Sequence, residues 1–149
     1  DGVCIAYTSV YGNTKSAAEY LAKKLGELGC EKVVLNDLAR CDMHEAMEDA
    51  FRYDRLVLAT TTYNGGIFPF MKQFIDGLTE RNYQNRTLAF IENGSWASTA
   101  AKVMKSMFEK SKNISYAQNC VTIKSAVTDE NRTQLAMLAK ELTKSEKGE

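Results

Sequence analysis

Five short runs of apolar and β-branched residues recur along the chain: Val3 to Tyr7, Lys32 to Asn36, Arg55 to Thr60, Thr87 to Glu92 and Val121 to Lys124. Turn-forming or polar residues bound each of them, which marks them as strands. Several are continuously apolar rather than alternating, as expected when helices cover both faces of a parallel sheet. Between the runs, hydrophobic residues return every three to four positions: Leu21, Leu25 and Leu28; Phe70, Phe74 and Leu78; Met104, Met107 and Phe108; Leu135, Leu138 and Leu142. These are helical stripes, assigned here to the core. Asp42 stands three residues before Glu45, and Thr128 precedes Asp129 and Glu130, so both places read as helix starts with acids near the positive end of the dipole. Pro69, the only proline, suits the first turn of its helix. The pattern predicts an α/β fold, a doubly wound parallel sheet of five strands joined by short connections, with a ligand crevice at the carboxyl ends of the strands.

Composition adds mainly exclusions. With 149 residues, 44% hydrophobic and 26% charged, the chain suits one globular domain over its whole length. Nineteen basic residues balance nineteen acidic ones, so charge gives no reason to expect nucleic acid or an anionic membrane as the main partner. The apolar runs, such as Leu56 to Ala59, are too short to cross a bilayer and the N-terminus lacks the regions of a signal peptide, which leads to the expectation of a cytoplasmic protein. Asp1 is not Met, so the chain reads as a piece excised from something longer. Cys4, Cys30, Cys41 and Cys120 form no C-x-x-C pair, and His44, three residues after Cys41, has no second ligand pair. Unpaired thiols in a reducing compartment are expected, not a zinc site or a redox dithiol. His44, the only histidine, falls near a helix start and reads as solvated.

Candidate chemistry concentrates in three loops. The first, Thr8 to Thr14, sets hydroxyls at Ser9, Tyr11 and Thr14 around Gly12, directly before a helix. Such a loop can cradle a phosphate on backbone N–H groups at the helix N-terminus. It matches neither the G-x-x-x-x-G-K-[ST] phosphate loop nor G-x-G-x-x-G. The second, Thr60 to Pro69, and the third, Glu92 to Thr99, each place a large aromatic with a polar tip, Tyr63 or Trp96, among Gly, Asn and hydroxyl residues. Both fall at the same end of the sheet as the first. A planar ring can lie between such aromatics while loop backbone bonds its polar edge.

The segments SVYGNT, TTTYNGGIFPFMKQFIDGL and QNRTLAFIENGSWASTAAKVM resemble the FMN domain of the flavodiiron proteins, also called A-type flavoproteins, and the similarity extends over nearly the whole chain. The resemblance implies a flavodoxin-like sheet of short-chain type with strand order 2-1-3-4-5. It implies that Ser9, Val10, Tyr11, Gly12, Asn13 and Thr14 hold the FMN phosphate. It further implies that Thr62, Tyr63, Asn64 and Gly65 border the isoalloxazine, and that Asn93, Gly94, Ser95 and Trp96 form its other wall. Thr61 and Ser98 depart from the family pattern, where proline is common. In the family the flavin feeds electrons to a diiron metallo-β-lactamase-like domain that reduces oxygen or nitric oxide, with a rubredoxin-like carrier or a reductase as donor. One histidine cannot furnish that diiron centre, so this chain is expected to be the electron-entry module. Whether it forms part of an oxidoreductase then depends on such a domain preceding it.

Two other readings stay open at this level. One is a stand-alone flavodoxin electron carrier. The other, of a different class, is a cofactor-free receiver-like or interaction domain. A receiver would use Lys124 but needs clustered acids after the first strand and an Asp after the third, where this chain has Thr8-Ser9 and Thr60-Thr61-Thr62.

Overall fold

The computed structural model describes residues 2–9, 12–63, 66–94, 100–124 and 126–145, with the side chains of Thr62, Tyr63, Gly66, Lys144 and Ser145 excepted. Strand β1 (Val3–Tyr7) leads into α1 (Asn13–Glu27), β2 (Val33–Asp37), α2 (Met43–Arg52) and β3 (Arg55–Tyr63). There follow β4 (Gly66–Ile67), α3 (Pro69–Glu80), β5 (Arg86–Asn93), α4 (Ala100–Met107), β6 (Ile114–Tyr116), β7 (Val121–Ile123) and α5 (Asp129–Ser145). The main sheet runs β2-β1-β3-β5, all parallel, and β6 and β7 share the next place along the outer side of β5. Its five places therefore follow the order 2-1-3-4-5 expected from the sequence.

The shared fifth place has a physical cause. Between the two paired stretches β5 advances from Leu88 to Ile91, while the outer chain advances from Tyr116 to Val121, two residues more. The extra length bulges outward and is held by α5. Glu141 accepts hydrogen bonds from the backbone N–H groups of Gln118 and Asn119, at 2.7 and 3.2 Å, and from Asn119 Nδ2 at 2.7 Å. β6 and β4 were not among the expected strands. β4 has only two residues, and β6, with an exposed serine between half-buried ends, lacks the buried apolar ends that mark β7.

Helices cover both faces, which is why β1 is buried along its whole length. On one side α2, α3 and α4 pack Ala46, Phe74, Leu78 and Met104, joined by Phe108 just after α4, against Cys4, Leu56 and Leu88. On the other, α1 and α5 pack Leu21, Leu25, Leu135, Leu138 and Leu142 against Val3, Ile5, Val57 and Ile91. Two stripe members stand outside the core. Leu28 is 44% exposed because it is the C-cap beyond the last turn of α1, and Phe70 is 47% exposed in the first turn of α3, at the rim of the sheet.

The expected helix starts carry their caps. Asp42 accepts a hydrogen bond from His44 N at 2.8 Å, Thr128 Oγ1 accepts from Asn131 N at 3.1 Å, and Pro69 opens α3. His44 is exposed. Gly2 lies where no side chain fits, since a Cβ there would come within 2.7 Å of both the Lys32 carbonyl oxygen and Tyr53 Cδ1. That carbonyl is fixed in turn by Val3 N at 2.9 Å. Gly2→Ala is expected to cost about 1–3 kcal/mol of stability, the usual range for overpacking, seen as a lower urea midpoint with unchanged slope.

Candidate functional site

β1 ends beside Ala59 of β3 at the point where the strand order reverses, and β3 runs on to Tyr63. Thr8 continues their ladder one step past Tyr7, donating its N–H to the Ala59 carbonyl at 3.0 Å. The hydroxyls of Thr8 and Thr60, 3% and 0% exposed, meet at 2.5 Å and fix the direction in which the chain leaves β1. Tyr7 stays neutral, its phenol pushed up by burial and then by the Asp37 carboxylate.

The chain next forms a cradle. Ser9 Oγ accepts hydrogen bonds from Gly12 N at 3.0 Å and from Lys15 N at 3.3 Å. Gly12 makes this possible with φ +90, a left-handed conformation that costs an L side chain about 1–2 kcal/mol. It is the N-cap of α1 yet offers no side-chain cap, and no acid stands in the first turn. Amide N–H groups thus converge on one oxygen at the positive end of a helix, the arrangement by which a phosphate oxygen is held. The residues fit a phosphate monoester.

The third loop reaches the first across the end of the sheet. Asn93 Nδ2 donates to Thr14 Oγ1 at 3.4 Å, Thr14 being 1% exposed, and Gly94 N donates to the Ile123 carbonyl at 3.0 Å. Ser9, Gly12, Asn13, Thr14, Asn93 and Gly94 thus gather at one edge. Thr62 and Tyr63 close β3 beside it and pair antiparallel with Ile67 and Gly66. Val10, Tyr11, Asn64, Gly65, Ser95 and Trp96, like Ser98, lie outside the described residues.

Two features of this edge escaped the sequence reading. One is the Thr8–Thr60 hydroxyl pair. The other is Glu92, 8% exposed, whose Oε1 accepts from Ala101 N at 3.1 Å and whose Oε2 accepts from Thr122 Oγ1 at 3.0 Å. Its signal was a carboxylate inside the apolar run LAFIEN, a position where strands disfavour Glu unless it is bonded.

Residues 4–146 match the family described as Flavodoxin domain. The chain belongs to that family. Flavodoxin is itself a standard illustration of ligand binding at the switch point of an open α/β sheet, with FMN between β1 and β3; FMN is the cofactor of a flavodoxin domain. Over 99% of its length this flavodoxin domain superposes on 36% of rubredoxin oxygen:oxidoreductase from the anaerobe Desulfovibrio gigas, with TM-score 0.91 and 21% identity. It also superposes on oxidised flavodoxin 1 from Bacillus cereus, with TM-score 0.84 and 15% identity, covering 97% of this chain and 98% of that one. Among curated proteins, the anaerobic nitric oxide reductase flavorubredoxin of Escherichia coli O1:K1 is 23% identical over 101 residues, which is 67% of this chain. The flavodoxin domain spans about a fifth of the length of such relatives (21%).

Among the described residues, no group of three or more His, Cys, Asp or Glu is placed to hold a metal ion. No described helix is long and apolar enough to cross a membrane. Cys4 and Cys30 are buried, Cys41 is half-buried and Cys120 exposed, and none is in a disulfide.

Proposed function

We propose that this flavodoxin domain passes electrons through FMN to a diiron, metallo-β-lactamase-like domain that reduces oxygen or nitric oxide, a rubredoxin-like carrier or a reductase being the donor. The observation that carries the flavin part is the convergence of the Gly12 and Lys15 amides on Ser9 Oγ at the β1/β3 switch point. The diiron part is supported by the relatives whose names give oxygen or nitric oxide as substrate, and of whose chains this domain matches only a part.

When bound, the flavin supplies the redox chemistry, taking up and releasing electrons singly or in pairs. The chain's residues bind and orient it. Ser9, Gly12, Asn13 and Thr14, with Val10 and Tyr11 between them, hold the phosphate by backbone N–H groups and hydroxyls. Thr62, Tyr63, Asn64 and Gly65 border one side of the ring; Asn93, Gly94, Ser95 and Trp96 border the other and keep water from it. The Asn93–Thr14 hydrogen bond joins the phosphate end to the ring end, so these two residues are fixed relative to each other without the ligand, which lowers the ordering cost of binding.

The test is a titration of the purified chain with FMN and with riboflavin, followed by flavin fluorescence. FMN is expected to bind one-to-one and riboflavin at least about 10-fold more weakly, because only FMN engages the cradle. Equal affinities overturn the phosphate assignment. Gly12→Ala, strained at φ +90, is expected to weaken FMN about 10-fold, the equivalent of one αL penalty. Delivery is tested in the full-length protein by oxygen and nitric oxide consumption with reduced rubredoxin as donor. Consumption that persists after FMN is stripped overturns it.

A second reading, a stand-alone carrier, is supported by the likeness in fold to the Bacillus cereus flavodoxin. Both readings share the flavin site and differ only in the acceptor.

A further inference from the structure

Glu92 is a carboxylate at the carboxyl edge of β5, immediately before Asn93 and Gly94, with threonines on both sides in register: Thr60 of β3 and Thr122 of β7. Both its oxygens are used. Oε1 takes the Ala101 N–H in the first turn of α4, a turn with no acid of its own, and Oε2 takes the Thr122 hydroxyl. The network runs on, for the Thr122 carbonyl accepts from Asn131 Nδ2 at 2.9 Å, and Asn131 belongs to the capping turn of α5. Two donated hydrogen bonds and the positive end of a helix are contacts that a carboxylate accepts. Among the described residues, no Lys or Arg pairs with it.

A negative charge that is 8% exposed and has no cation beside it among the described residues is weakly screened. The edge on which it stands is the one assigned to the flavin. We propose that Glu92 is a potential-setting residue: its charge, fixed behind the Asn93–Gly94 wall, disfavours the added negative charge of reduced flavin and holds the reduction potential of bound FMN down. Reduction by two electrons with uptake of one proton leaves the ring one unit more negative. The carboxylate opposes that change without touching the reacting atoms. This inference rests on the flavin reading above and assigns to that site a control the phosphate cradle does not provide.

The test separates the charge from the hydrogen bonds. Glu92→Gln keeps both bonding positions, an acceptor toward Ala101 and an amide toward Thr122, and removes the charge. Thr122→Val removes one hydrogen bond and keeps the charge. Dissociation constants for oxidised and dithionite-reduced FMN are measured on each chain, their ratio reporting the shift in potential. Glu92→Gln is expected to favour reduced over oxidised FMN by about 3- to 10-fold relative to the unchanged protein. Thr122→Val is expected to move the ratio less than about 2-fold while lowering the thermal midpoint.

A Glu92→Gln ratio like that of the unchanged protein overturns the proposal, as does a Thr122→Val shift of equal size, which would make Glu92 a strut and nothing more. Should Glu92→Gln fail to fold, Thr122→Lys sets an ammonium beside the carboxylate and is expected to shift the ratio in the same direction; no shift there overturns the proposal too. If the unchanged chain binds no FMN in either state, the flavin reading itself fails and the inference with it, a result distinct from binding with an unmoved ratio.

Discussion

Arg55→Ala is expected to lower the unfolding free energy by about 1.5–3 kcal/mol, the range for losing a hydrogen bond made by a charged group. Arg55 opens β3 and is 2% exposed. Its Nη1 donates to the Leu142 carbonyl late in α5, and its Nε meets Asp54 Oδ1 at 3.3 Å. The guanidinium thus ties the last helix to the base of the sheet, near the negative end of that helix. Truncation would lose the packing of the stem and the hydrogen bond between the guanidinium and the Leu142 carbonyl. Arg55→Met, which restores most of the volume, is expected to recover part of the loss, so the difference between the two variants isolates the packing of the stem and the loss that remains in Arg55→Met is the polar contribution. Urea unfolding followed by far-ultraviolet circular dichroism measures both. FMN affinity under native conditions is expected to stay within about 2-fold, because five residues of strand, about 17 Å, separate Arg55 from Thr60 at the site. A large loss of affinity in a folded Arg55→Ala chain would contradict that separation.

Alkaline pH supplies the second large effect. Cys4, in β1 and fully buried, has its thiol pushed up to about 12, chiefly by burial; the Asn36 amide at 3.8 Å works against this and the Asp49 carboxylate adds to it. The folded chain therefore keeps the Cys4 proton at pH values where the unfolded chain, near its ordinary 9.0, has lost it. The sign follows directly. This contribution to stability is complete below about pH 9, and as pH rises from 9 to 12 it declines by up to about 1.4 kcal/mol per unit. Tyr83, also pushed up by burial with its hydroxyl on the Ala50 carbonyl at 3.2 Å, extends the decline above pH 10. Urea midpoints from pH 8 to 11 are expected to fall steadily. Cys4→Ala is expected to begin from a lower midpoint and show a shallower fall between pH 9 and 10, before tyrosine takes over. An identical slope in both chains would remove Cys4 as the cause.

The sheet was legible in the sequence because its strands are buried on both sides, and continuous runs such as LVLAT leave few other interpretations. Strand ends were less so. β3 runs on through Thr61, Thr62 and Tyr63, polar residues whose strand state depends on pairing with Asn93 at one point and Ile67 at another. Ile114–Tyr116 and Gly66–Ile67 exist only because a neighbour is there to receive them. The stripes misplaced Leu28 and Phe70 because periodicity records the face of a helix and not where the covering layer stops.

The same division holds at the site. Ser9, Gly12 and Thr14 could be read locally, since a turn rich in hydroxyls before a helix carries its chemistry in adjacent residues. Glu92 could not. Its partners lie 9 and 30 positions away, and the second of them depends on the register between β5 and β7. That register is set by the two extra residues between Tyr116 and Val121, and nothing in the local pattern of QNC announces them.

The same two residues govern how the molecule meets copies of itself. The outermost strand of an open sheet is where separate molecules join into filaments, backbone to backbone. Here neither β6 nor β7 presents more than three ladder positions. Between them the amides of Gln118 and Asn119 are already taken by Glu141. A strand arriving from another chain finds no continuous template on this side. Crowded in a cell or concentrated in a tube, the protein keeps this edge closed to polymer growth by the way its own last helix leans on it.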